Sequence, residues 1–143
     1  MKKIMLLGPI GHGKTTLIQA LTHKEITYDK TQDVIYSDNF IDTPGEFVQH
    51  RRYNVALQAT SQDASLIIFL LNPRIRSQIY APGYAASFNK PVIGVINHID
   101  LAETEDIDRA INQLRLAGVK KIFKVSPISR VGLDELGKFL EGE

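Results

Sequence analysis

Residues Gly8-Pro9-Ile10-Gly11-His12-Gly13-Lys14-Thr15-Thr16 carry the most specific chemistry in the chain, fitting the phosphate-loop pattern G-x-x-x-x-G-K-[ST] without a mismatch. The glycines let the backbone wrap closely around a phosphate chain with several amide N–H groups turned inward, and a following helix adds its positive N-terminal end. In such a loop Lys14 reaches the β and γ oxygens and stabilises the charge of the transferring phosphoryl group, while the Thr15 hydroxyl ligates Mg²⁺. Downstream stands Asp42-Thr43-Pro44-Gly45-Glu46. An aspartate at the end of a buried strand can hold a Mg²⁺-bound water, and a flexible glycine just after it can turn its N–H toward the γ-phosphate. Glu46 follows, where an acid side chain can orient the attacking water. In the polar, aperiodic stretch 22–33 between the two motifs, Thr31 is the preferred second hydroxyl ligand to Mg²⁺, with Thr22 and Thr27 as competitors. The chemistry is phosphoryl transfer from a nucleoside triphosphate. Lys14, Thr31 and Glu46 take the catalytic roles, and Thr15, Thr31 and Asp42 surround the metal.

These residues need a scaffold of alternating strands and helices. Lys2–Leu7 is an apolar run of strand length ending directly at Gly8, and Leu17, Ile18 and Leu21 give the next segment helical spacing. Val34-Ile35-Tyr36 and Phe40-Ile41 flank the turn formers Ser37-Asp38-Asn39, which predicts a short hairpin or a bent strand. A helix within Phe47–Gln62 follows a mobile segment; Arg51 and Arg52 there are solvated, with a catalytic arginine in cis as the alternative. Ser65–Leu71 and Pro91–Ile96 read as strands buried on both faces, and Lys121–Val125 as the last strand. Thr104 is expected to N-cap a helix running through Ala117, with Gly118 as its stop, and Leu133, Leu136 and Leu140 mark a closing amphipathic helix. Residues 73–90 are the least regular stretch, broken by Pro73, Pro82 and Gly83, with a short helix expected around Ala85–Phe88. Their Arg74, Arg76, Tyr80, Tyr84 and Phe88 form either a partner surface or ordinary surface with the aromatic rings tucked onto the sheet. The expected fold is α/β, a three-layer P-loop domain whose mostly parallel sheet carries helices on both faces and binds its ligand at the carboxyl ends of the strands.

At 143 residues and 43% apolar content, residues 1–143 are expected to form a single nucleotide-binding domain. With 17 basic and 16 acidic residues the formal charge is +1, so no global field attracts nucleic acid or an anionic membrane. The apolar run after Met1-Lys2-Lys3 is too short for a signal peptide, no stretch reaches membrane-spanning length, and a cytoplasmic location is expected. The absence of cysteine excludes disulfides and thiolate metal sites, and His12, His23, His50 and His98 have no mutual spacing of a metal site.

Four motifs then stand in order: Gly8 to Thr15, Asp42 to Gly45, Asn97-His98-Ile99-Asp100, and Ser126-Pro127. They resemble the G1, G3, G4 and G5 boxes of small GTP-binding domains over almost the whole chain. The resemblance implies GTP or GDP and Mg²⁺ as cofactors. It also implies that Asn97 buttresses the phosphate loop and that Asp100 accepts two hydrogen bonds from guanine N1–H and N2–H₂, donors that adenine lacks. The stretch from Ser126 to Leu136 looks like the loop that brings the Ser126 and Pro127 backbone near guanine O6. Lysine is usual in this pattern where the chain has His98, whose imidazole would cover one face of the base in its place. Gly11 replaces the asparagine of potassium-dependent GTPases, so KCl is expected to stimulate turnover no more than NaCl.

More narrowly, the short interval between the phosphate loop and Ile41–Glu46, with Lys30-Thr31-Gln32 inside it, resembles the EutP/PduV family of ethanolamine and propanediol utilisation proteins. That resemblance implies association with bacterial microcompartments and their shell or enzyme proteins. The leading reading is a GTPase switch, slow without a partner. Two alternatives are a kinase of a small carboxylate such as acetate, and a nucleotide-dependent docking module with residues 73–90 as its surface.

Overall fold

The apolar runs of the sequence become the strands of one sheet. The computed structural model describes residues 3–9, 12–22, 35–37, 40–45, 48 and 51–140. In chain order these give β1 (Ile4–Leu7), α1 (Lys14–Thr22), β2 (Ile35–Ser37), β3 (Phe40–Asp42), α2 (Asn54–Ser61), β4 (Leu66–Leu71), β5 (Val92–Ile96), α3 (Thr104–Leu116), β6 (Lys121–Lys124) and α4 (Leu133–Leu140). Short 3₁₀ turns cover Arg51–Tyr53, Tyr84–Ser87 and Ile99–Leu101.

The strand order is β2-β3-β1-β4-β5-β6. All pairs are parallel except β2 with β3, which pair antiparallel, in keeping with the hairpin alternative expected from the sequence; residues 38 and 39 between them lie outside the described residues. Period-two alternation divides the buried side chains between two helical layers. Leu6, Ile68, Leu70, Val95 and Phe123 face Leu17, Leu133, Leu136 and Leu140 of α1 and α4. Met5, Leu7, Ile67, Phe69 and Leu71 face Leu57 of α2 and Ala110 and Leu114 of α3. Strands buried on both faces are apolar at successive positions, which is why β1 and β4 read as continuous runs.

Two boundaries differ from expectation. α3 starts at Thr104 with Glu103 in the N-cap position and no side-chain cap bond, so Thr104 is the first helical residue and does not cap. The short helix expected around Ala85–Phe88 is a single 3₁₀ turn at Tyr84–Ser87.

Residues 73–90 have little regular structure, yet their backbone is pinned. The Gln113 side-chain carbonyl on α3 accepts from the N–H groups of Ile79 (2.8 Å) and Tyr80 (2.9 Å), and its amide donates to Ser77 O (3.1 Å). Gly83 N–H and Ala85 N–H donate to the carbonyls of Leu116 and Ala117 at the end of the same helix. Tyr80 is fully buried and stacks on Phe69 with ring centroids 4.5 Å apart. Its hydroxyl lies 2.8 Å from Leu70 O and 3.1 Å from Leu7 O, where β1 leaves the sheet for the phosphate loop. Phe88 is buried and Tyr84 half-buried, so the aromatic residues are tucked onto the sheet and only Arg74 and Arg76 of that set remain exposed.

Candidate nucleotide site

The sequence motifs meet at the carboxyl ends of β1, β3, β5 and β6. After β1 the chain passes through Gly8 and Pro9, and His12 N–H donates back to Pro9 O at 3.2 Å. Gly13 has φ +91°, a left-handed conformation that side-chain-bearing residues rarely adopt, and a Cβ there would lie 2.4 Å from Asn97 Nδ2. α1 begins at the next residue, Lys14, so its N-terminal N–H groups face the loop. The Lys14 stem folds back over Gly8, with its Cγ 3.0 Å from where a Cβ of Gly8 would sit. Lys14 is buried, which pushes its pKa down, and the carboxylate of Asp42 partly counters this.

Asp42 closes β3 beside β1, in register with Leu6. Its neighbour Thr43 donates from Oγ1 to Leu6 O at 2.9 Å and fixes the start of the Thr43-Pro44-Gly45 stretch, all of it buried. Thr15 and Thr16 lie half-buried in the first turn of α1. Asp42, near enough to Lys14 for its charge to act on it, and the Thr15 hydroxyl in the first turn of α1 are hard oxygen donors of the type that suits Mg²⁺. Among the described residues, no group of three or more His, Cys, Asp or Glu side chains could hold a metal by itself. Gly11, Thr31 and Glu46 lie outside the described residues.

At the end of β5, Asn97 is fully buried and its Nδ2 donates to His12 O (3.4 Å) and Gly13 O (3.5 Å). Asn97 Oδ1 accepts from His98 N–H (3.0 Å), holding His98 at φ 52°, ψ 39°. Histidine is among the few residue types enriched in that left-handed region. The His98 ring lies against the phosphate loop, with Nε2 3.1 Å from the position of a Gly13 Cβ. Its Nδ1 is buried without a hydrogen-bond partner among the described residues. Burial lowers the His98 pKa, as does Arg74, while Asp100 acts in the opposite direction. Asp100 is exposed on the 3₁₀ turn that follows.

The last contributor is the loop after β6. Ser126 and Pro127 are buried, Ser126 Oγ accepts from Ser129 N–H, and Ser126 O accepts from Arg130 N–H at 2.7 Å. The loop closes at Gly132, with φ +80°, where a Cβ would stand 2.1 Å from Lys124 O. Ile99 N–H donates to Val125 O at 3.2 Å and joins this loop to the Asn97–Asp100 turn.

His12 has a second tie that the sequence does not announce. It is 2% exposed, and its Nδ1 accepts from Asn72 N–H at 3.0 Å, so the ring proton sits on Nε2. Burial and the Lys14 charge lower its pKa from 6.5 to about 4. Asn72 was legible only as the residue at which a strand stops before Pro73; nothing in its identity points to a histidine 60 positions earlier.

A family model described as ethanolamine utilisation – propanediol utilisation matches residues 1–142. The propanediol utilization protein PduV of Citrobacter freundii is 37% identical over 143 residues, covering all of this chain and 95% of that protein. The probable acetate kinase EutP of Escherichia coli (strain K12) is 36% identical over 107 residues, 73% of this chain and 67% of that protein. Among solved structures, a bacterial selenocysteine-specific elongation factor superposes with a TM-score of 0.73 at 24% identity over 99% of this chain. The chain spans 28% of that factor's length, so the likeness concerns one part of a larger protein. The shared architecture is the three-layer α/β fold of a P-loop NTPase G domain, a mostly parallel sheet with helices on both faces. No helix among the described residues is long and apolar enough to cross a membrane.

Proposed function

As the chain belongs to the ethanolamine utilisation – propanediol utilisation family, we propose that it is a magnesium-dependent guanine-nucleotide-binding protein that hydrolyses GTP to GDP. In this reading residues 1–143 act as a single nucleotide-binding domain and a small regulatory switch in ethanolamine or propanediol metabolism. The observation that carries the reading is the bond from Asn97 to the carbonyls of His12 and Gly13. It ties the Asn97–Asp100 turn to the phosphate loop, so that one ligand can engage both. A phosphate chain would lie against the N-terminus of α1 under Lys14, while Asp100 receives the paired N–H donors of guanine.

Lys14 would counter charge on the transferring phosphoryl oxygens, and Gly45 would sense the γ-phosphate with its N–H. Thr15, Thr31 and Asp42 would hold Mg²⁺, directly or through water, and the ion would neutralise charge on the β- and γ-oxygens. Glu46 would orient the attacking water. His98 supports the base from beside Gly13, in place of a lysine stem, and Ser126 and Pro127 lie toward the base on the loop after β6. Without a partner supplying further positive charge, turnover is expected well below once per second.

The test is titration with fluorescent GTP and ATP analogues, with and without Mg²⁺, on wild type and Asp100→Asn. Guanine selectivity predicts preferred GTP binding that the substitution weakens. Equal ATP binding, unchanged by Asp100→Asn, would discard the guanine assignment and leave the phosphate site standing.

A second reading rests on the similar Escherichia coli protein described as a probable acetate kinase. Transfer to acetate would form acetyl phosphate, detectable by hydroxamate trapping after incubation with ATP or GTP and acetate. In either reading the natural partners would be microcompartment shell or enzyme proteins, with the chain cytoplasmic or microcompartment-associated.

A further inference from the structure

A cleft of about 290 Å³ lies between residues 71–78 and α3. One rim carries Ile75 and the other Leu116, both unusually exposed for large apolar side chains, at 38% and 56%. Asp106, in the first turn of α3 and nearly buried, holds two guanidinium groups, Arg109 at 2.9 Å and Arg76 at 3.2 Å. One carboxylate neutralises one of these charges, so the cleft keeps a net positive charge at its mouth. The other acidic residues on this helix, Glu105 and Asp108, do not line it.

The walls are preformed. Gln113 fixes residues 77–80 to α3 through three hydrogen bonds, and Gly83 N–H ties the segment to Leu116 O. A partner would therefore bind without first ordering this loop, which removes a cost that flexible surfaces incur on association. The Arg76 and Arg109 side chains remain 67% and 45% exposed. A small anion held by them would stay half in water, whereas a small-molecule site normally encloses most of its ligand. A longer ligand can cover both apolar rims and reach both guanidinium groups at once. Exposed arginine around a shallow apolar centre is the composition of protein interfaces.

We propose that this cleft is a docking site for an acidic segment of a partner protein, with leucine-like side chains seated between Ile75 and Leu116 and carboxylates paired with Arg76 and Arg109. The site shares no ligand-contacting residue with the nucleotide site and does not depend on GTP hydrolysis.

The experiment uses the full chain and a fluorescein-labelled amphipathic peptide built of alternating leucine and glutamate pairs, read by fluorescence anisotropy. The control peptide has lysine in place of glutamate. The acidic peptide is expected to bind saturably and to weaken as salt rises. Arg76→Gln and Leu116→Ser are each expected to weaken it at least tenfold with little change in thermal melting, since both side chains are exposed. Amide chemical shifts should move at Ile75, Arg76 and Leu116. Asp100→Asn should leave the peptide affinity unchanged, which separates this site from the guanine assignment. Absence of saturable binding overturns the proposal, as does equal binding of the lysine peptide. Displacement by free propionate at the peptide's own concentration overturns it in favour of a small-anion site.

Discussion

The phosphate loop and residues 73–90 leave the same edge of the sheet, one at the end of β1 and the other at the end of the neighbouring β4, and they are held in opposite ways. In the phosphate loop the neighbours grip carbonyl groups: Asn97 donates to His12 O and Gly13 O. N–H groups at the start of α1 are thereby left to face an anion. In residues 73–90 the neighbours mainly grip N–H groups, with Gln113 and the end of α3 accepting from Ile79, Tyr80, Gly83 and Ala85, while one carbonyl, Ser77 O, accepts from the Gln113 amide. Here the backbone's hydrogen-bonding capacity goes into the protein itself. One loop is therefore preorganised for a ligand, and the other is preorganised as a wall.

The contrast can be tested by damaging each side separately. Gly13→Ala should be the most severe change: left-handed strain together with displacement of the Asn97 amide is expected to weaken nucleotide binding by about 4 kcal/mol. Titration with a fluorescent GTP analogue checks this, and unchanged affinity would break the contrast. Tyr80→Ala acts on the wall, leaving a void against Phe69 and two carbonyls without their donor. Chemical denaturation should show a loss of about 3–4 kcal/mol, mostly in stability, with the nucleotide Kd little altered.

The next effect is a pH dependence. His12 is neutral in the fold, with its pKa lowered from 6.5 to about 4, whereas the unfolded chain takes up the proton near 6.5. The contribution is complete above pH 6.5 and disappears as pH falls toward 4, because over that window the unfolded state binds the extra proton. The loss should amount to about 3 kcal/mol, and His12→Asn should flatten that part of a stability-against-pH curve. Last, Gln113→Ala should cost about 1–2 kcal/mol and speed amide hydrogen exchange at Ile79 and Tyr80 while leaving the phosphate loop protected as before. If exchange also rises at His12 and Gly13, the two loops are one cooperative unit and the contrast must be redrawn.

The same difference explains what the sequence made legible. The phosphate loop is constrained locally: glycines at fixed offsets, a lysine and a hydroxyl residue at the start of a helix, with an apolar strand before them. The alternation of strands and helices, the antiparallel pairing of β2 with β3 and the buried Asp42 follow from the same local rules. The wall is constrained at a distance. Gln113 reads as an ordinary polar residue on a helix, because its partners stand 33 or more positions away, and Tyr80 as a loop aromatic, because its partners range from 10 to 73 positions away. The His12–Asn72 bond is illegible for the same reason. Thr104 was misplaced by one residue for a different cause: threonine is a good N-cap, and here Glu103 takes that position with no side-chain bond.

One strand has a consequence outside nucleotide chemistry. β6 stands at the margin of the sheet, with Lys121 and Lys124 exposed at its two ends. A foreign strand that added itself there would have to desolvate both ammonium groups or bring matching carboxylates. The margin is thus guarded against edge-to-edge growth, and replacing both lysines with threonine should make concentrated solutions form aggregates that the parent chain resists.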